Sequence, residues 1–117
     1  MLYMLLIYAN EREWAGYSEA EQAAVMRGHD RLEADLRQVG KYRGCGALEP
    51  TGSATTVRVR GGKTMVTDGP FAETKEQFGG YYLVDAKDLD DAMAIAARIP
   101  TASNGSIEVR PVAILNP

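Results

Sequence analysis

The first regular pattern in the chain is the run Leu2 to Tyr8, apolar at both parities of the two-residue period, which predicts a strand covered on both faces. One layer of helices covers only one of them. The period then changes to that of a helix. "YSEAEQAAVMRGHDRLEADLRQVGK" opens on Ser18 with Glu21 three positions on, a capping-box pair, and carries apolar residues at Val25, Leu32, Leu36 and Val39. A helix of about twenty residues is expected, ended by Gly40 just past its last turn. "GCGALEP" follows as a short strand, and "TTVRVRGGKTMVT" as two alternating strands joined across Gly61 and Gly62 by a two-residue hairpin turn. After a charged loop, "GGYYLVDA" is another strand. Asp88, with Asp91, opens a second helix, "LDDAMAIAARI", stopped by Pro100, and "SIEVRPVAIL" closes as a strand.

This order, strand, helix, strands, strand, helix, strand, predicts an α+β fold in a single domain over residues 1–117. The expected form is a ferredoxin-like βαββαβ-type antiparallel sheet with both helices on one face. Leu2 to Tyr8, Tyr81 to Val84 and Val109 to Ile114 present apolar groups to both faces, so the face without helices needs a cover. The expected cover is the same surface of a second copy, packed sheet to sheet about a two-fold axis, which makes the protein a homodimer.

Composition narrows the function classes. The apolar fraction of 45% and charged fraction of 25% are those of a folded globular domain. A net charge of -3 and a pI near 5.1, with no cluster of Lys and Arg, argue against direct nucleic-acid binding. The opening apolar run is too short to span a bilayer and lacks the basic start of a signal peptide, so no membrane association is expected. The single cysteine, Cys45, cannot form an intramolecular disulfide, which fits a cytoplasmic location.

His29 is the only histidine, and its spacing from Val25, Leu32, Leu36 and Val39 puts it on the apolar stripe, pointing at the sheet. There it is either a general acid or base or a core histidine bonded to a backbone carbonyl. One histidine and one cysteine supply too few ligands for a transition metal, so neither metal nor cofactor is expected. The loop "VTDGPFAETKEQF" holds Asp68, Glu73, Lys75 and Glu76, with Asp68 suited to cap the Gly69-Pro70 turn and Phe71 to anchor it. Either these carboxylates serve the backbone or the loop forms the wall of a site. Gly79 and Gly80 permit a close backbone approach. Arg58 with Arg60, and Glu108 with Arg110, share strand faces expected to be largely buried; they must pair across strands or face a wet cavity that receives an anion. Tyr3, Tyr8, Tyr81 and Tyr82 fill strand positions, and Trp14 with Tyr17, ahead of the first helix, could form part of a lid.

"TTVRVRGGKTMVTDGPFAETKEQFGGYYLVDAKDLDDAMAIAARIP" and the later "EVRPV" closely resemble the DGPF-motif branch of the YCII-related family over nearly the whole chain, with Asp68-Gly69-Pro70-Phe71, "ETKE" and "GGYYL" as the specific core. The resemblance implies a dimeric ferredoxin-like α/β barrel. The wider family is similar to small dimeric barrel enzymes such as muconolactone isomerases. One branch includes a dehalogenase of chlorinated hydroxymuconate-like acids, with a first-helix histidine paired to an aspartate. His29 matches that histidine by its place ahead of Gly40, but Gln38 stands where some members carry the acid. Asp68 is the candidate partner in its stead. The expected site then has His29 and Asp68 as catalytic residues and Arg58, Glu73, Lys75 and Arg110 around a small anionic substrate. The resemblance also implies a second reading, a non-catalytic ligand- or partner-binding module acting with a sigma-factor-type transcription regulator.

Overall fold

The computed structural model describes residues 1–115. The elements are β1 (Leu2–Ala9), α1 (Glu11–Ala15), α2 (Glu19–Gln38), β2 (Tyr42–Ala47), β3 (Thr55–Arg60), β4 (Lys63–Asp68), β5 (Gln77–Asp85), α3 (Leu89–Ala97) and β6 (Ser106–Pro111), with short 3₁₀ turns at Thr51–Ser53 and Pro100–Ser103. β1, β2, β5 and β6 form one antiparallel sheet in the order β2-β5-β1-β6, and β3 pairs only with β4 in a sheet of its own. With that hairpin set aside, the connectivity is the ferredoxin-like βαββαβ unit.

The helix ends follow the residues that signalled them. Ser18 Oγ accepts from the Glu21 N–H at 3.1 Å while Glu21 Oε1 accepts from the Ser18 N–H at 2.9 Å, a complete capping box. At the other end Gly40 has φ 73, which frees the Lys41 N–H to reach Leu36 O and its own N–H to reach Arg37 O. Asp88 caps α3 through the Asp91 N–H at 2.9 Å. α1 adds a short helix where none was expected; Asn10 starts it by accepting from the N–H groups of Arg12 and Glu13.

Alternation sorts the sheet into two faces. Tyr3, Leu5 and Ile7 of β1 and Tyr82 and Val84 of β5 are buried against Leu32 and Leu36 of α2 and Ala92, Ile95 and Ala96 of α3. The opposite parity, Met4, Leu6, Tyr8, Tyr81 and Leu83, forms a face that no element among the described residues covers, and its residues stay half-exposed. The stripe on α2 ends at Leu36; Val39, expected on it, is the C-cap residue and is exposed. The last strand ends at Pro111 rather than running on through Leu115: Val112 N–H still reaches Leu2 O at 2.9 Å, but β1 begins at Leu2 and offers no partner beyond it.

The β3–β4 hairpin turns at Gly61 (φ 56) and Gly62 (φ 75), the paired positive angles of a tight I′ turn, and leaves the body of the domain as an arm. Its strands are exposed almost throughout. The Cα radius of gyration is 16.3 Å, against about 13 Å for a compact domain of this length. The expectation that Arg58 and Arg60 lie in buried strands is therefore corrected: they stand on the arm in solvent, as Glu108 and Arg110 do on the open face of β6, and none of the four is in an ion pair among the described residues. Phe71 is likewise no anchor within this chain, being 79% exposed. Gly80 does what its lack of a Cβ allows, for a Cβ there would lie 2.7 Å from Gly46 O.

Candidate functional site

α2 brings His29 toward the sheet on the same stripe as Leu32 and Leu36, and β5 raises Tyr82 to meet it. His29 Nδ1 lies 2.6 Å from the Tyr82 hydroxyl, with the two rings 5.8 Å apart. Tyr82 is 4% exposed and His29 half-buried. Burial drives both groups toward neutrality: it pushes the Tyr82 phenol far above its ordinary value and holds the His29 imidazole below 6.5, Asp30 opposing this only in part. A buried phenol proton needs an acceptor, and Nδ1 is the acceptor in reach. The ring is thereby held as the Nε2–H tautomer, and Nε2 has no partner among the described residues.

One turn along, Glu33 and then Arg37 continue the polar side of α2. Arg37 Nε donates to Glu33 Oε2 at 3.0 Å, and its guanidinium sits 4.3 Å over the Tyr42 ring. Cys45 faces Tyr82 in register across β2 and β5; its Sγ lies 3.5 Å from Glu33 Oε1 and accepts from the Tyr42 hydroxyl at 3.2 Å. The bond to Arg37 holds the Glu33 carboxyl below its ordinary range, and the bond to Cys45, chiefly, pushes the Tyr42 phenol up to about 12. A seam of proton-bearing groups thus runs from His29 and Tyr82 to Tyr42, along the junction of α2 with the β2 edge.

The six residues expected to share a site are spread over four places. His29 lies on the helix side of the sheet. Arg110, paired with Met4, lies on the opposite side, because its neighbour Val109 is the one that faces Leu5. Asp68 and Arg58 belong to the arm, and Glu73 and Lys75 to the exposed loop after it. Within one chain, then, Asp68 is not the partner of His29; Tyr82 is. The loop is ordered by other groups: Thr74 Oγ1 donates to Glu76 O, Gln77 Nε2 to Thr74 O, and Ser106 Oγ to Glu76 Oε1. Among the described residues no group of His, Cys, Asp and Glu is placed to hold a metal ion. Tyr82, Glu33, Tyr42 and Cys45 are the residues that sequence reasoning did not assign to the site. Two signals were available, the four-residue spacing of His29, Glu33 and Arg37, and the shared parity of Tyr82 with buried Val84.

The YCII-related domain matches residues 1–116. The chain belongs to the YCII-related family. An uncharacterised protein of Rhizobium meliloti (strain 1021) is 42% identical over 119 residues, an alignment that takes in 100% of this chain and 96% of that one. In this YCII-related domain His29 of α2 faces the sheet and has the Tyr82 phenol, not a carboxylate, as its hydrogen-bond partner.

Proposed function

We propose that this YCII-related domain is a small-molecule acid–base domain, working as a homodimer, in which His29 is the proton-handling residue and Tyr82 the residue that sets its tautomer. The 2.6 Å contact between Nδ1 and the Tyr82 hydroxyl carries the reading. A histidine sealed in a core has both ring nitrogens bonded within the protein, whereas His29 is half-buried, with one nitrogen tied inward and the other without a partner among the described residues and open to a ligand. As an uncharged Nε2–H donor it can bond the oxygen of a carbonyl or carboxylate. Because a hydroxyl both donates and accepts, Tyr82 can also accept from an Nδ1–H; in that tautomer, reached when the half-exposed ring gains a proton from solvent at Nδ1 and gives one up at Nε2, Nε2 carries the free lone pair and is a base.

The substrate class is a small anion, held by Arg58 and Lys75, with Asp68 and Glu73 beside them; Arg110, on the sheet face opposite His29, drops out of the set. In a single chain these are remote from His29, so the reading needs a second copy to bring its arm to the site. Surface area supports that copy. The chain exposes 8339 Å², about 2,100 Å² more than the roughly 6,200 Å² of a monomer of its mass, and twice that excess is on the scale that obligate dimers bury. The uncovered sheet face and the arm, with Val57, Val59, Val66 and Phe71 all more than half exposed, are where it lies. Assignment to the DGPF branch, on Asp68 to Phe71, goes with this dimeric-barrel reading.

The same exposed arm favours a second reading, a non-catalytic module that docks a sigma-factor-type transcription partner. An NMR titration of His29 with small hydroxylated and carboxylated acids separates the two. Saturable shifts of its ring signals with one acid class, abolished in His29→Gln while sedimentation stays dimeric, support the acid–base domain. A His29 indifferent to every acid, on a chain that sediments as a monomer, moves the assignment to the docking module.

A further inference from the structure

A cavity lies away from His29, where α1, the start of α2 and the Pro100–Ser103 turn meet, and nothing in the acid–base reading uses it. Its volume is about 120 Å³, far below the roughly 300–1,000 Å³ of drug-sized sites, so it has room for one small head group. Two aromatic rings form its corner: Trp14 and Tyr17, 5.8 Å apart at an interplanar angle of 63°. Val25 and Pro100 contribute apolar surface, and the close fit of Pro100 against Gly28, where a Cβ would meet Pro100 Cγ at 2.8 Å, closes the join between helix and turn. Of the residues that line the cavity only Glu13 carries a charge, and its carboxylate is in no ion pair among the described residues. The others with polar groups are neutral.

The corner is held in place. Gln22 Nε2 donates to Trp14 O at 3.0 Å, the Tyr17 N–H donates to the same carbonyl at 3.1 Å, and Asn104 Nδ2 donates to the Tyr17 hydroxyl. Fixed rings whose faces carry negative potential, next to one unneutralised carboxylate and apolar carbon, favour one kind of ligand over others. A cation is attracted to the ring faces, and it must itself be apolar in outline to match the surface. An anion meets Glu13, and a neutral polyol finds no opposite charge.

We propose that this cavity is a binding site for a small alkylammonium group, with Trp14 and Tyr17 as the aromatic walls and Glu13 as the counter-charge. Trp14 is the only tryptophan in the chain, so its fluorescence reports on the site directly. The test is a titration of the full-length protein with tetramethylammonium chloride against sodium chloride at matched ionic strength. Beside it runs choline against its uncharged isostere, in which a quaternary carbon replaces the nitrogen. The expected result is a saturable change in Trp14 emission with both ammonium ions, with a dissociation constant on the order of millimolar for so small a ligand. The carbon isostere is expected to bind about three- to thirtyfold more weakly. Glu13→Gln, at an exposed position that leaves the fold intact, weakens the ammonium ions and leaves the isostere unchanged. Equal binding of choline and its isostere, a response no different from that to sodium, or full affinity in Glu13→Gln each overturn the proposal.

Discussion

Tyr82→Phe removes one hydroxyl from the site and nothing else, and so isolates the bond on which the reading of His29 rests. The hydroxyl is 2.6 Å from Nδ1 and has no other partner among the described residues; the ring around it is 4% exposed. A bond of this kind is worth about 1 kcal/mol net, and losing it costs about 1–3 kcal/mol where a buried acceptor is left bare. His29 is half-buried, so water can reach part of the imidazole and the lower end applies. We expect a loss of about 1–1.5 kcal/mol, a fall of roughly 4–8 °C in Tm at fixed protein concentration. Tyr81→Phe is the control. It makes the same change one residue away, on the opposite face, where the hydroxyl has no hydrogen bond among the described residues, and it should move stability by no more than about 0.5 kcal/mol. The second readout is the imidazole itself. Long-range ¹H–¹⁵N spectra of the native protein should show His29 as the Nε2–H tautomer, and Tyr82→Phe should release that preference. Equal Tm shifts in the two variants, or a ring protonated at Nδ1 in the native protein, refute the reasoning.

Burial holds the folded-state pKa of His29 below 6.5, so the unfolded chain binds that proton first: its contribution is complete above pH 6.5 and is lost as pH falls toward the depressed value. The difference in urea midpoint between the native protein and His29→Gln should therefore be flat above about pH 7 and shrink on acidification, and a difference independent of pH contradicts it. At the crossing of β2 and β5, Gly80→Ala should cost about 1–3 kcal/mol because its Cβ meets the backbone of Gly46, whereas Gly79→Ala, which points into open space, should be nearly neutral by the same denaturation assay. If the proposed dimer joins through the arm, Val57→Glu with Val66→Glu, both at positions more than half exposed, should leave the chain folded by circular dichroism while shifting sedimentation from dimer to monomer; a double variant that sediments as the native protein does excludes the arm from such a joint. Ser18→Ala removes half of the capping box and should lower stability by about 1 kcal/mol in urea unfolding.

Much of this architecture was legible locally. The capping box, the positive-φ glycine after α2, the Gly61-Gly62 turn and the Asp88 cap each depend on residues a few positions apart, so the chain carries them whatever its tertiary context. The arm was not legible, because alternation in "TTVRVR" and "KTMVT" is satisfied equally by pairing into the main sheet or by pairing only with each other. Which of these happens is decided by partners far along the chain. That ambiguity displaced Arg58 and Asp68 from the expected site. Arg110 was displaced by a different cause: its strand was placed correctly, but parity decides the face, and nothing in "SIEVRPV" says which parity lies under the helices.

The same parity rule bears on the catalytic reading. Tyr81 and Tyr82 are chemically alike and adjacent, yet one ring lies over Gly46 on the uncovered face and the other reaches His29 under α2. A dimer built on the uncovered face therefore closes around Tyr81, Tyr8 and Arg110 and leaves Tyr82 and His29 outside the sheet-to-sheet joint, on the helix side. Any anion-binding residue that a second copy contributes to His29 then has the β2 edge as its approach, where the polar seam of Glu33, Tyr42 and Cys45 lies, and of the cationic residues in the expected site only Arg58, on the arm, and Lys75, in the exposed loop after it, lie off the main sheet. Arg58 and Lys75 are thus the cations that can serve His29 across a dimer, and Arg110, fixed on β6 at the far edge of the sheet, is not.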